Sequence, residues 1–120
     1  MVWPPMRRGE VWLVDLEPVA GTEANKVRPV VVVSNDAANR RATERGRGVV
    51  TVVPVTSNVS RVLPFQTLLP NTTTGLRQPS KAQAEQVRSL DVVRLRTRLG
   101  RVPADVLSDL DDALRLHLSL

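Results

Sequence analysis

The chain has 120 residues, 42% of them apolar, which suits one domain with one modest core and excludes disorder throughout. Seventeen Lys and Arg against twelve Asp and Glu give a net charge of +5; Asp105, Asp109, Asp111 and Asp112 gather acid near the C-terminus, so residues 1–104 carry +8. The absence of cysteine excludes a disulfide framework and thiolate chemistry, and no apolar run approaches a membrane span, so a soluble, cytoplasmic protein with no membrane partner is expected.

Residues 1–6 read as a flexible extension, with Met6 an alternative start, and residues 7–120 as a single domain. "GEVWLVDLEP", between Gly9 and Pro18, is a first strand with Trp12, Val14 and Leu16 on one face and Asp15 on the other. Residues 17–27 form a polar, turn-prone loop, and 28–34 a second strand built on four consecutive valines. "NDAANRRATERGRG" predicts a short helix capped by Asn35 or Asp36 and ended by glycine. "VVTVVPVTSN" is a third strand whose Pro54 implies an edge or a bulge, "FQTLL" a fourth, and "PNTTTGLRQP" a loop. "SKAQAEQVRSL" fits helix and strand equally well.

The last segment is an amphipathic helix: Pro103 opens it, and Val106, Leu107, Leu110, Ala113, Leu114 and Leu118 make one apolar stripe. His117 falls on that stripe and is expected to pack in the core or at an interface. Short strands with one terminal helix predict an α+β class, mainly β, folded as a small twisted barrel or sheet.

Fifteen of the seventeen cations are arginine, whose planar fork matches phosphate, so nucleic acid is the expected partner; an arginine-rich genome would give the same bias. One histidine and no cysteine argue against a transition-metal site, and the phosphate-loop, dinucleotide and serine-elbow motifs are missing; no cofactor is expected. What remains is polar groups at strand ends: Arg28, then Thr56, Ser57 and Asn58, then Lys81, Gln83, Gln86 and Arg88. Arg28, at the mouth of a valine strand, either snorkels into water or is anchored there for chemistry.

The order G-E-V-W-x-V-D-L, G-T-E-x₄-R-P-V-V-V-V-S, V-P-V-T-S-N, P-F and E-Q-V-R-S-L, followed by an amphipathic helix, resembles the MazF/PemK (Kid) family of toxin endoribonucleases from about Arg7 to the C-terminus. The resemblance implies a small SH3-like barrel of the CcdB/MazF/Kid type that forms a homodimer, cleaves single-stranded RNA (mRNA) at short sequences without metal, and is silenced by an acidic, MazE-like antitoxin. It also implies that Arg28 and Thr56 line the cleavage site, with Glu23 from the 17–27 loop, a loop expected at the dimer seam. Asn25, Lys26, Ser57, Asn58, Gln83, Gln86 and Arg88 are the candidate RNA contacts.

Metal-free cleavage uses the RNA's own 2′-hydroxyl, so the protein must remove its proton, stabilise the phosphorane and protonate the leaving oxygen. Arginine suits the second task and not the first, because a guanidinium keeps its proton. Glu23 could be the base; the Asp and Arg that serve some relatives on a later strand have no match in "QPSKAQAEQVRS". With only Trp3, Trp12 and Phe65 as aromatics, and Trp12 expected in the core, base reading falls to Arg, Asn and Gln. A non-catalytic nucleic-acid-binding barrel, or a CcdB-like toxin acting on gyrase, would have the same fold.

Overall fold

The four valines of the second strand alternate between two apolar layers, which is why the run is continuous rather than interrupted by polar residues. In the computed structural model, which describes residues 5–16 and 27–120, strands β1 (Glu10–Asp15), β2 (Val27–Val32) and β3 (Val49–Thr56) pair antiparallel in that order. Val30 and Val32 face an inner layer with Trp12, Val14, Val50 and Val52, closed by Met6, Ala42, Leu90, Val92 and Leu95. Val31 faces an outer layer with Val11, Val53, Val55 and Ala82, covered by Leu110, Ala113 and Leu114 of the C-terminal helix. Both faces of β1 are therefore apolar: Trp12, Val14 and Leu16 share a side as expected, but Val11 is fully buried on the other.

Helix α1 (Asp36–Arg45) follows its local signals: the Asn35 side chain accepts a hydrogen bond from the Ala38 N–H at 2.8 Å, and Gly46, at φ 65°, ends it in the left-handed region. The ambiguous segment resolves into β5 (Ser80–Gln83), a 3₁₀ turn at Ala84–Gln86 and β6 (Arg88–Asp91), both strands lying on the same edge of β3. Pro54 explains the interruption. The Thr51 carbonyl accepts from the Val33 and Ser34 N–H groups on the β2 side, so alternation turns the Pro54 backbone toward β5 and β6, where proline has no N–H to give. Opposite it the partner chain leaves the ladder and takes in the turn as three additional residues between Ala82, across from Val55, and Arg88, across from Val52. Pro54 thus marks an irregularity inside a central strand, not an edge.

Strand β4 (Gln66–Leu69) pairs with β5, and β7 (Leu95–Arg101) pairs with β1, giving the order β4-β5-β3-β2-β1-β7 with β6 beside β3. From the sequence no element is assigned to residues 95–101; in the structure Arg96 pairs with Asp15 and Arg98 with Glu10 of the neighbouring strand. β4 and β7 share no ladder among the described residues. The loop 70–79 joins these ends instead: the Arg101 N–H donates to the Thr73 carbonyl at 2.9 Å, and Thr73 Oγ1 donates to the Arg101 carbonyl at 3.2 Å. The result is the expected small barrel-like antiparallel sheet, incompletely closed.

Helix α2 (Ala104–Leu118) lays Leu110, Ala113 and Leu114 on the outer layer, a burial worth about 1.5–3 kcal/mol for each leucine. Its final turn is uncovered. Leu118 and His117 are exposed, so of the two places expected for His117 the core is excluded, and the His117 ring rests tilted against Phe65 with centroids 6.4 Å apart. Among the described residues no helix is long and apolar enough to cross a membrane.

Candidate active site

The outer layer is longer than the helix that covers it. From Val55, at the edge of the covered layer, the same sheet face continues through Leu13 and Pro29, with Leu99 of β7 beside them, and forms the floor of an open cleft of about 400 Å³. Arg28, Thr56 and Ser57 border it on one side and Arg77, Gln78 and Ser80 on another.

Register brings the first group together. Val30 sits opposite Pro54 and Val32 opposite Val52, and carrying that register two residues further sets Arg28 opposite Thr56 on the adjacent strand. Thr56 is in turn the cross-strand partner of Lys81 on β5. Arg28 and Thr56 thus border the cleft from neighbouring strands, and Lys81 is paired with Thr56 on the far side of β3. Thr56 Oγ1 accepts from the Asn58 N–H at 3.2 Å, which fixes the oxygen and leaves its O–H available to a ligand. Lys81 Nζ donates to the Arg61 carbonyl at 2.6 Å, holding the 57–65 loop beside β5.

The second group depends on loop 70–79, whose path is set by backbone contact. At Gly75, φ 75°, an added Cβ would lie 2.2 Å from the Leu99 carbonyl oxygen, and at Gly100 it would lie 2.2 Å from that of Thr73. Only glycine lets the loop and β7 approach this closely. Thr74, fully buried, donates from Oγ1 to the Pro70 carbonyl at 2.7 Å and accepts from the Leu76 N–H at 3.3 Å. Arg77 and Gln78 are thus presented from a braced turn.

Among the described residues Arg8, Arg96, Arg98 and Arg115 are tied to carboxylates, whereas Arg28, Arg77 and Lys81 form no ion pair. Arg28 and Arg77, the two cations that line the cleft, thus carry charge that no carboxylate of the described residues neutralises, as do most arginines elsewhere in the chain.

Arg28, Thr56 and Ser57 are gathered at the cleft as the sequence suggested. Asn58 is adjacent, but its Oδ1 is occupied by the Ser60 N–H and hydroxyl, so its acceptor shapes the loop. Gln83 lies across from Gln66, Gln86 in the 3₁₀ turn and Arg88 across from Val52; none of the three borders the cleft. Glu23, Asn25 and Lys26 lie outside the described residues. Sequence reasoning overlooked Arg77, Gln78 and Ser80; the signal was a glycine two residues before Arg77 in a proline-bounded loop.

Residues 7–118 match the family model described as a PemK-like, MazF-like toxin of a type II toxin-antitoxin system. The chain is 63% identical over 115 residues to Endoribonuclease MazF9 of Mycobacterium tuberculosis, covering 96% of this chain and 98% of that one. It is also similar to the MazE-MazF crystal structure (Form-II) from Deinococcus radiodurans, at 29% identity and a TM-score of 0.77 over 98% of each chain. A mycobacterial endoribonuclease solved with its cognate antitoxin is similar at 25% identity and a TM-score of 0.74 over 96% of each chain. With the fold and nearly the full length in agreement, the chain belongs to the PemK/MazF family of type II toxins.

Proposed function

We propose that the protein cleaves single-stranded RNA, mRNA above all, at this cleft by internal transesterification. The class of activity, a toxin endoribonuclease, comes with the family and with the 63% identity to a curated endoribonuclease. The route rests on one observation: Arg28 and Thr56, on the neighbouring strands β2 and β3, line the same cleft. The 2′-oxygen attacks the neighbouring phosphorus while its proton passes to a base, and the bond to the 5′-oxygen breaks as that oxygen takes up a proton. A 2′,3′-cyclic phosphate and a 5′-hydroxyl result. Arg28 stabilises the phosphorane charge with its fork, and the Thr56 and Ser57 hydroxyls hold the phosphate oxygens. Lys81, paired with Thr56 on the far side of β3, adds a cation for the next stretch of backbone, and Glu23 is the residue assigned as base.

The same surface suits an inhibitor. An acidic antitoxin segment, MazE-like in character, would neutralise the arginines that hold RNA, in a chain of net charge +5. Exposed Leu68, Leu116, Leu118 and Leu120 support a homodimer, since apolar groups on β4 and the last turn of α2 stand without cover in one copy. Action on mRNA puts the protein, in this reading, in the cytoplasm.

The test is to incubate the purified protein with a long RNA in EDTA and map the ends. Discrete cuts with cyclic or 3′-phosphate and 5′-hydroxyl termini are expected. Intact RNA that is nevertheless bound would replace the nuclease with a binding module. For the inhibitor, an acidic antitoxin tail should displace a labelled uncleavable RNA; simultaneous binding of both would place it elsewhere.

A further inference from the structure

We propose that the cleft beneath loop 70–79 receives one purine base of the RNA, the base beside the cleaved phosphate, and that Arg77 and Gln78 select it. The inference rests on the ribonuclease reading above and concerns what that site recognises.

A nucleobase has two apolar faces and a polar edge, and the cleft offers the complement. Its floor of Leu13, Pro29, Val55 and Leu99 accepts a ring face, and about 400 Å³ leaves room for a bicyclic base with attendant water. Trp12 is buried in the inner layer and no aromatic among the described residues lines the cleft, so an aliphatic floor takes the part of a stacking platform. Arg28 and Thr56 stand at the mouth. A phosphate held there places its own nucleoside, not a distant one, over the floor.

The polar edge would meet Arg77 and Gln78. Among the described residues neither side chain makes an ion pair, and no hydrogen bond occupies either one; the Gln78 carbonyl, by contrast, accepts from Ser80 Oγ at 3.0 Å, which fixes the backbone that carries them. Specific reading requires groups held by rigid backbone, and the contacts of Gly75 with Leu99 and of Gly100 with Thr73 supply that rigidity. The two side chains have matching preferences in chemistry: an arginine fork pairs with O6 and N7 of guanine, and a glutamine amide with N6 and N7 of adenine. Both grip the N7 edge that only a purine has. A pyrimidine would leave their donors unpaired in the cleft.

The test compares wild type with Arg77→Ala and Gln78→Ala by mapping every cut in one long RNA. Rates are then measured on short RNA pairs that differ only at the base next to the cut. Wild-type cuts should share a purine at one side of the scissile bond, and purine over pyrimidine discrimination should fall by about tenfold or more in at least one variant while the other positions of the target persist. If a variant is inactive, its binding to the same pair carrying 2′-deoxyribose at the cut reads the same discrimination. Wild-type cuts without a purine at either flank overturn the proposal. So does an unchanged target profile in both variants, or slowing by the same factor at all sites, which would make the loop a structural support only. A wild-type protein that leaves RNA intact would sink the ribonuclease reading itself.

Discussion

Val11, Val31 and Val53 lie fully buried beneath α2, while two residues further along the same strands Leu13, Pro29 and Val55 line an open cleft. The strands, the face and the apolar character are the same in both halves; only the cover differs. In the first half, leucines from the helix fill the layer. In the second, loop 70–79 stands beside the layer and brings one leucine, Leu76, together with Arg77 and Gln78. A single sheet can thus hold a site in rigid register by burying one end of its strands and leaving the other unfilled, with the stability of the closed end fixing the geometry of the open one.

The comparison is open to substitutions at four positions, the largest effect first. Leu110→Ala, in the covered half, should cost about 2–5 kcal/mol of stability in urea unfolding while the molecules that remain folded cleave RNA at the wild-type rate. A comparable loss of specific activity would show that the two halves are not separable. Arg28→Ala, in the open half, should do the reverse: at least about a hundredfold loss of cleavage, about 2.7 kcal/mol or more, at an unchanged melting temperature. Arg28→Lys should recover only part, because the ammonium keeps the charge and loses the fork. Near-wild-type turnover by the alanine variant would remove Arg28 from the site.

Gly75→Ala probes the link between the halves. Its Cβ would strike the Leu99 carbonyl at a positive φ, so the loop must move away from β7, at a cost of about 1–3 kcal/mol. Cleavage and stability should therefore fall together; a normal melting temperature would mean that the loop is not braced there. The smallest effect belongs to Leu13→Ala. Half-exposed in the cleft, Leu13 should cost about 1 kcal/mol or less in the same unfolding assay, well below Leu110 with the same side chain. Equal costs would contradict the difference in cover.

What could be read without coordinates was local. The valine strand, the Asn35 cap and Gly46 stop of α1, and the 3.6-residue stripe of α2 through Leu114 each depend on residues within a few positions of one another, and each forms as its pattern implies. Arg28 was conspicuous for the same reason: a fixed charge against a run of valines is a local contradiction, and such contradictions gather at functional sites.

The rest was decided between distant segments. Strand β7 forms on the edge of β1, at the other end of the chain, with Leu95 buried in the inner layer and Arg96 and Arg98 paired to Asp15 and Glu10. "SKAQAEQVRSL" becomes two strands around a turn because a proline in a different strand offers it no N–H. Thr56 faces Arg28, and Arg77 and Gln78 reach the cleft, only through sheet register and through two glycines that let a loop touch β7. The sequence by itself determined which segments could be strand or helix and which charge stood out, since propensity, capping and periodicity act over a turn or a strand. Which side chains converge on one cleft was left to tertiary structure, because cross-strand pairing and close backbone contact join residues that no local pattern relates.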